Sequence, residues 1–168
     1  DSGKEIWKAE INAKSAIWMR CRGLAYFDAT KPLAQPTVAG STPVLPAQVA
    51  PGAACQRRIL MNTIDGKLIA LDADNGKFCP DFGTNGSVNL HEGMGDASDP
   101  TYVLTSAPTL AGTTVVVGGR VADNVSTDMP GGVIRGYDVI TGQLRWAFDP
   151  RNPDPNYVLK PGEHYKRS

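Results

Sequence analysis

The sequence predicts an all-β fold and, within that class, a partial β-propeller of about two blades. Three observations carry the prediction. First, Val133-Ile134-Arg135-Gly136-Tyr137-Asp138 leads into Thr141-Gly142-Gln143-Leu144-Arg145-Trp146-Ala147-Phe148-Asp149-Pro150, two strands joined by a tight turn with a tryptophan at a fixed distance beyond it. A damaged copy precedes it, Leu68-Ile69-Ala70-Leu71-Asp72-Ala73-Asp74-Asn75-Gly76-Lys77-Phe78-Cys79-Pro80, and the chain opens on the tail of a third, Gly3-Lys4-Glu5-Ile6-Trp7. A repeated strand-turn-strand unit is the signature of β-sheets stacked around an axis. Second, the turn glycines Gly3, Gly76 and Gly142 lie roughly 70 residues apart, wider than the ~40–45 of a WD-type blade. Blades of that length carry long loops, and loops on a rigid scaffold are where sites usually sit. Third, two units and a fragment cannot close a ring, and an open propeller exposes unpaired strand edges. The chain is therefore expected to be a piece of a larger protein.

Along the chain, Lys4–Ile11 and Ala16–Phe27 read as strands interrupted by Asn12-Ala13-Lys14. Residues 29–54 are rich in Pro, Ala, Gly and Val with almost no charge, which predicts a long, partly extended loop held open by Pro32, Pro36, Pro43, Pro46 and Pro51. A hairpin is expected next, Arg58–Thr63 and Lys67–Asp72 around Asp65-Gly66, because Asp-Gly between apolar strands is a strong short-range hairpin signal. Lys77–Cys79 would add a third strand to that meander. Residues 82–100, with several glycines and acids, read as an irregular excursion. Strands resume at Ser106–Leu110, Thr113–Gly118, Val133–Val139 and Gln143–Phe148, and the Pro-rich tail after Asp149 reads as irregular. No long stretch shows a 3.6-residue apolar period, so no helix is expected. In blades, residues 1–15 end one, 16–84 form a second, 100–150 form a third, and 151–168 are tail.

Composition narrows the function. The chain has 168 residues, with 17 acidic and 17 basic side chains. That balance argues against a nucleic-acid partner, because neutralising phosphates requires a basic surplus. Its 18 glycines and 13 prolines suit turn-rich β structure. The apolar runs are strand-length and too short to span a membrane, and any targeting segment is expected upstream or removed. Cys21, Cys55 and Cys79 fit no metal-ligand spacing. Cys55 and Cys79 fall at the same end of the predicted meander, so two readings stand: buried free thiols, or a disulfide of the kind an oxidising compartment permits.

Four motifs in order resemble the pyrroloquinoline-quinone dehydrogenases, specifically the membrane-bound glucose, quinate/shikimate and polyol branch. They are Cys21-Arg22-Gly23-Leu24-Ala25-Tyr26-Phe27-Asp28, Thr105-Ser106-Ala107-Pro108, Val121-Ala122-Asp123-Asn124-Val125-Ser126-Thr127 and Gly132-Val133-Ile134-Arg135-Gly136-Tyr137-Asp138. The resemblance implies an eight-bladed, tryptophan-docking propeller with the quinone on its axis beside a divalent cation, Ca²⁺ or Mg²⁺. It implies oxidation of a small polyhydroxy substrate (a sugar, polyol or cyclitol) and electron transfer to membrane quinone at the periplasmic face of the inner membrane. The rival expectation is a non-enzymatic propeller scaffold, which needs the docking repeats but not the site motifs.

The resemblance also assigns residues. Arg22 is placed on the cofactor, where a guanidinium can hold one of its three carboxylates bidentately. Asp123 and Asn124 offer hard oxygens suited to the cation; alone they would make an ordinary turn. Thr105 and, with less support, Ser106 present hydroxyls to cofactor oxygens. Trp18 stands where glucose-oxidising members carry a histidine that covers the cofactor face. An indole can stack on a planar quinone but accepts no proton, which puts glucose as substrate in question. Arg135 is as well explained by an ion pair as by a site role. Trp7 and Trp146 are expected to dock, Asp72, Gly76, Asp138 and Gly142 to build turns, and His91 and His164 to sit exposed in loops. The general base and a cofactor-contacting lysine belong to later blades, so no catalytic residue is expected here and the segment alone should be inactive.

Overall fold

The structure is a computed structural model that describes residues 2–17, 23–31, 49–98, 100–122, 124–152, 154 and 156–167. Among these there is no helix, and hence none long and apolar enough to cross a membrane. The strands are β1 (Ala25–Asp28), β2 (Arg57–Asn62), β3 (Lys67–Asp72), β4 (Ser87–Asn89), β5 (Tyr102–Val103), β6 (Thr109–Ala111), β7 (Thr114–Gly118), β8 (Arg120–Val121), β9 (Ile134–Asp138) and β10 (Leu144–Phe148). They form two four-stranded antiparallel sheets, ordered β1-β2-β3-β4 and β10-β9-β7-β6, and a two-stranded ribbon, β5-β8.

In each sheet the alternation of the sequence decides which face is buried. Leu60, Leu68 and Ala70 of the first sheet and Val115, Val117 and Tyr137 of the second belong to one apolar cluster that joins the two. The second and third strands of each sheet read correctly from sequence because they carry that alternation and a turn signal at its end.

Both sheets end their third strand in the same turn. The Gly76 N–H donates to the Asp72 carbonyl at 2.8 Å, and the Gly142 N–H to the Asp138 carbonyl at 2.9 Å. The two glycines sit at φ +72° and +70°, a left-handed conformation that side chains resist. Each aspartate folds its carboxylate over the turn: Asp72 accepts from the Asp74 N–H, and Asp138 from the Ile140 and Thr141 N–H groups. Burial alone would raise both carboxyl pKa values. The backbone donors outweigh it, helped at Asp138 by Arg145, and hold both below the usual carboxylate range.

Several expectations need correction. Lys4–Ile11 is not a strand, because no described strand lies beside it to complete a ladder; of 16–27, β1 takes only the end, and 18–22 lie outside the described residues. Lys77–Cys79 makes only an isolated bridge, Leu71 with Phe78, and the fourth position of the sheet is taken by β4 from within the stretch expected to be irregular. His91 is half-buried rather than exposed: its ring lies over Gly66, where an added Cβ would fall 2.2 Å from Nε2, and meets Tyr102 edge-on. His164 is exposed, and the tail after Asp149 carries no strand, both as expected. Most of the long loop lies outside the described residues.

Cys55 and Cys79 are bridged, with Cα atoms 5.7 Å apart, so the disulfide reading holds over free thiols. Just beneath it lies Arg58, fully buried. Its guanidinium donates to the Cys55 carbonyl, ion-pairs with Asp81 at 2.9 Å, and reaches across to the Ile140 and Val139 carbonyls of the second sheet at 2.9 and 3.4 Å. A buried charge is tolerable only when its donors are satisfied, and here the satisfaction joins the two sheets.

Candidate functional site

The site is built where three segments converge: the approach to β1, the end of β2, and residues 105–107. Gly23 leads into β1 and packs so closely on Ala107 that an added Cβ would lie 3.3 Å from the alanine Cβ. At the end of β2, Asn62 donates from Nδ2 to the Ser106 carbonyl at 3.0 Å. Its Oδ1 is buried with no partner among the described residues, an orphan acceptor of the kind that marks a place for a ligand or water. Thr105 is half-buried and Ser106 exposed.

The ribbon β5-β8 sets the direction of the chain on either side of it. Tyr102 pairs with Val121 and Val103 with Arg120, whereas β6-β7 pairs Thr109 with Val116. The two registers do not run into each other, so the chain bends between them, at 104–108 on one side and Gly119 on the other. Gly119 has no room for a side chain, because a Cβ there would fall 2.2 Å from the Tyr102 ring. Tyr102 is fully buried, and its hydroxyl accepts from Arg135 at 3.4 Å.

Thr105 and Ser106 lie in the same segment as Ala107, which packs on Gly23, the residue after Arg22; Arg22 and Trp18 themselves lie outside the described residues, as does Asp123. Asn124 is exposed and left-handed at φ 58°. It follows Ala122, whose N–H donates to the Thr101 carbonyl, so the chain reaches Asn124 from the Tyr102 end of the ribbon and Thr105 from the Val103 end.

Arg135 makes no ion pair among the described residues: it is buried and donates to the Leu90 and Glu92 carbonyls. It borders a cavity of about 330 Å³ with Tyr137 and Tyr165, and burial pushes the Tyr137 hydroxyl up to about 12 despite the nearby arginine. The one cluster of metal-ligating side chains among the described residues is Cys55, Cys79 and Asp81, and its sulfurs are already bonded to each other. Sequence reasoning missed Asn62 and Arg58. An asparagine at the end of a strand and an arginine near the start of the same strand carry no motif, and only the third dimension shows what they reach.

Of the two docking tryptophans, Trp7 lies against Gly76 and donates from Nε1 to the Ala73 carbonyl at 2.8 Å. Trp146 lies on Gly136 of its own sheet and remains 42% exposed.

Tandem four-stranded sheets with a tryptophan seated on a turn glycine define a segment of a β-propeller. Comparison with known proteins defines it further. Residues 1–168 match the glucose/ethanol/alcohol dehydrogenase β-propeller domain, PQQ. The chain is 67% identical to the quinate/shikimate dehydrogenase (quinone) of Acinetobacter baylyi over 100% of its length and 21% of that protein. It is 53% identical to a probable quinate dehydrogenase (quinone) of Xanthomonas campestris, over 99% and 21%, and 41% identical to the quinoprotein glucose dehydrogenase of Escherichia coli, over 94% and 18%. Among solved structures, a europium-containing methanol dehydrogenase aligns at a TM-score of 0.44 and 27% identity, covering 67% of this chain and 16% of that one. The chain belongs to the PQQ-dependent dehydrogenase family, and it spans about a fifth of the length of the curated relatives it matches.

Proposed function

We propose that this segment forms one wall of the cofactor and substrate pocket of a PQQ-dependent dehydrogenase that oxidises a cyclitol hydroxyl of the quinate or shikimate type. The observation that carries the proposal is the convergence on residues 106–107: Gly23, the residue after Arg22, packs on Ala107, and Asn62, which keeps an orphan acceptor, holds the Ser106 carbonyl. Such a set suits a planar, carboxylate-bearing quinone: hydroxyls donate to its oxygens, and Arg22 holds a carboxylate bidentately. When bound, pyrroloquinoline quinone supplies the two-electron acceptor for dehydrogenation of a substrate C–OH. This chain's residues bind and orient it, Trp18 covers one face, and the general base comes from elsewhere in the parent protein. Asp123 and Asn124 would contribute oxygens to a Ca²⁺ or Mg²⁺ ion, which would supply Lewis acidity at the quinone. Residues 16–84 and 100–150 each contribute a blade, and the parent works at the periplasmic face of the inner membrane, with membrane quinone as its electron acceptor.

Titration of the intact apo-enzyme with cofactor tests the assignment. A charge-assisted contact is worth about 1.5–3 kcal/mol, so Arg22→Ala should raise the half-saturating cofactor concentration by about one to two decades. Asp123→Ala or Asn124→Ala should instead raise the metal concentration needed for reconstitution. Unchanged half-saturation for cofactor and metal would remove these residues from the pocket.

A further inference from the structure

The described strands carry six cationic side chains: Arg57, Arg58, Lys67, Arg120, Arg135 and Arg145. Four are in ion pairs, Arg57 with Asp74, Arg58 with Asp81, Lys67 with Asp65 and Arg145 with Asp138. Arg135 is taken up by the Leu90 and Glu92 carbonyls. Only the side chain of Arg120 is exposed with neither an ion pair nor a hydrogen bond among the described residues. Nothing in the described fold uses its charge.

Its position gives that charge a use. Arg120 pairs with Val103, at the end of the ribbon from which the chain runs on to Thr105. Two glycines, Gly118 and Gly119, precede it, so no side chain on its own strand crowds the guanidinium from that side. On the other side of the bend, Asn62 pins the Ser106 carbonyl and keeps the 105–107 segment in place. An exposed cation without a partner among the described residues thus lies across the ribbon from Val103, two residues before Thr105.

We propose that Arg120 is the anchor for a substrate carboxylate and makes the pocket selective for a hydroxylated ring acid over a neutral sugar or polyol; this rests on the function proposed above. The guanidinium is a planar fork whose paired N–H groups match the two oxygens of a carboxylate, and it stays charged at every working pH. A neutral polyol offers no such partner. An exposed cation near a binding site also raises the local concentration of an anionic substrate. Fixing the carboxylate fixes the ring, so the anchor selects which ring hydroxyl faces the cofactor.

The experiment uses the intact, cofactor-loaded enzyme and two substrates of identical carbon skeleton, quinate and its methyl ester, with wild type, Arg120→Gln and Arg120→Lys. Arg120→Gln should raise KM for quinate by about 10- to 100-fold, leave kcat little changed, and leave KM for the ester as in wild type. Arg120→Lys should recover part of the loss, and the half-saturating cofactor concentration should not move. The unaltered ester kinetics also show that the variant is folded. Equal shifts for acid and ester, no shift for either, or a shift in cofactor half-saturation would overturn the anchor while leaving the parent activity standing. A wild-type enzyme that oxidises neither acid nor ester would overturn the proposed function, and the anchor with it.

Discussion

The two turn glycines sit in the same local structure and are docked by different chemistry. Gly76 receives an aromatic: the Trp7 ring lies where a Cβ would fall 2.4 Å away, and its Nε1 bonds the Ala73 carbonyl. Among the described residues, Gly142 receives no tryptophan. A Cβ there would meet the Val88 side chain at 2.8 Å and the Gly83 backbone nitrogen at 2.9 Å, and the Gly83 N–H donates to the Thr141 carbonyl. The copy of the repeat that should have supplied the aromatic ends in Cys79-Pro80. There the chain is tied by the disulfide to Cys55 and turned into the 82–86 bend, which delivers backbone and a valine to the dock. What the repeat requires is a flat surface on the glycine and a donor to the turn carbonyls. An indole supplies both at once; at the second dock Val88, Gly83 and Arg58 share the task.

The strongest challenge to that division of labour lies in the second dock. Arg58→Met keeps the volume and removes the donors to the Cys55, Ile140 and Val139 carbonyls. Asp81 is 40% exposed and can return to water, but the carbonyls stay buried, so the loss should be roughly 3 kcal/mol. Hydrogen exchange on the intact enzyme should show lost protection in both sheets, because the clamp spans them. Lost protection confined to β1–β4 would mean that Arg58 serves its own sheet and that the second dock holds without it.

That clamp also marks the boundary of what the sequence could say. Strands β2, β3, β7, β9 and β10 are legible because alternation and a turn signal agree at each, and the motif around Thr105–Ser106 stands out only through its resemblance to a family. The two-residue strands β5 and β8 are too short to show a period, and β4 hides among glycines that read as loop. The 4–11 stretch has a strand's composition without a partner, and a ladder is a property of two segments. Arg120 and Asn62 stayed invisible for a related reason: their meaning lies in what they do or do not touch across the sheet. Arg58 was read only as the first residue of a strand, although it reaches four carbonyl and carboxylate groups.

The smallest effect concerns the turns themselves, which are alike while their supports differ. Asp72 and Asp138 both have carboxyl pKa values held below the usual 3.8 by backbone donors acting against the cost of burial. A group whose folded pKa is depressed stabilises the fold above its unfolded pKa, and that contribution is lost as pH falls through the folded value. Acid should therefore weaken both turns only below pH 3.8. Asp138 has a support that Asp72 lacks in that form: Arg145 closes on its carboxylate and also bonds Thr113 and Thr114. Arg145→Met should raise the pH at which the second turn loosens and leave the first where it was. Acid titration of the intact enzyme, followed by exchange at the Gly76 and Gly142 amides, reads the two turns separately. If both amides shift together in the variant, the turns are coupled through the sheets and cannot be treated as two independent copies of one unit. If only Gly142 shifts, each turn is held by its own carboxylate, and the difference between the docks is confined to what sits on top of the glycine.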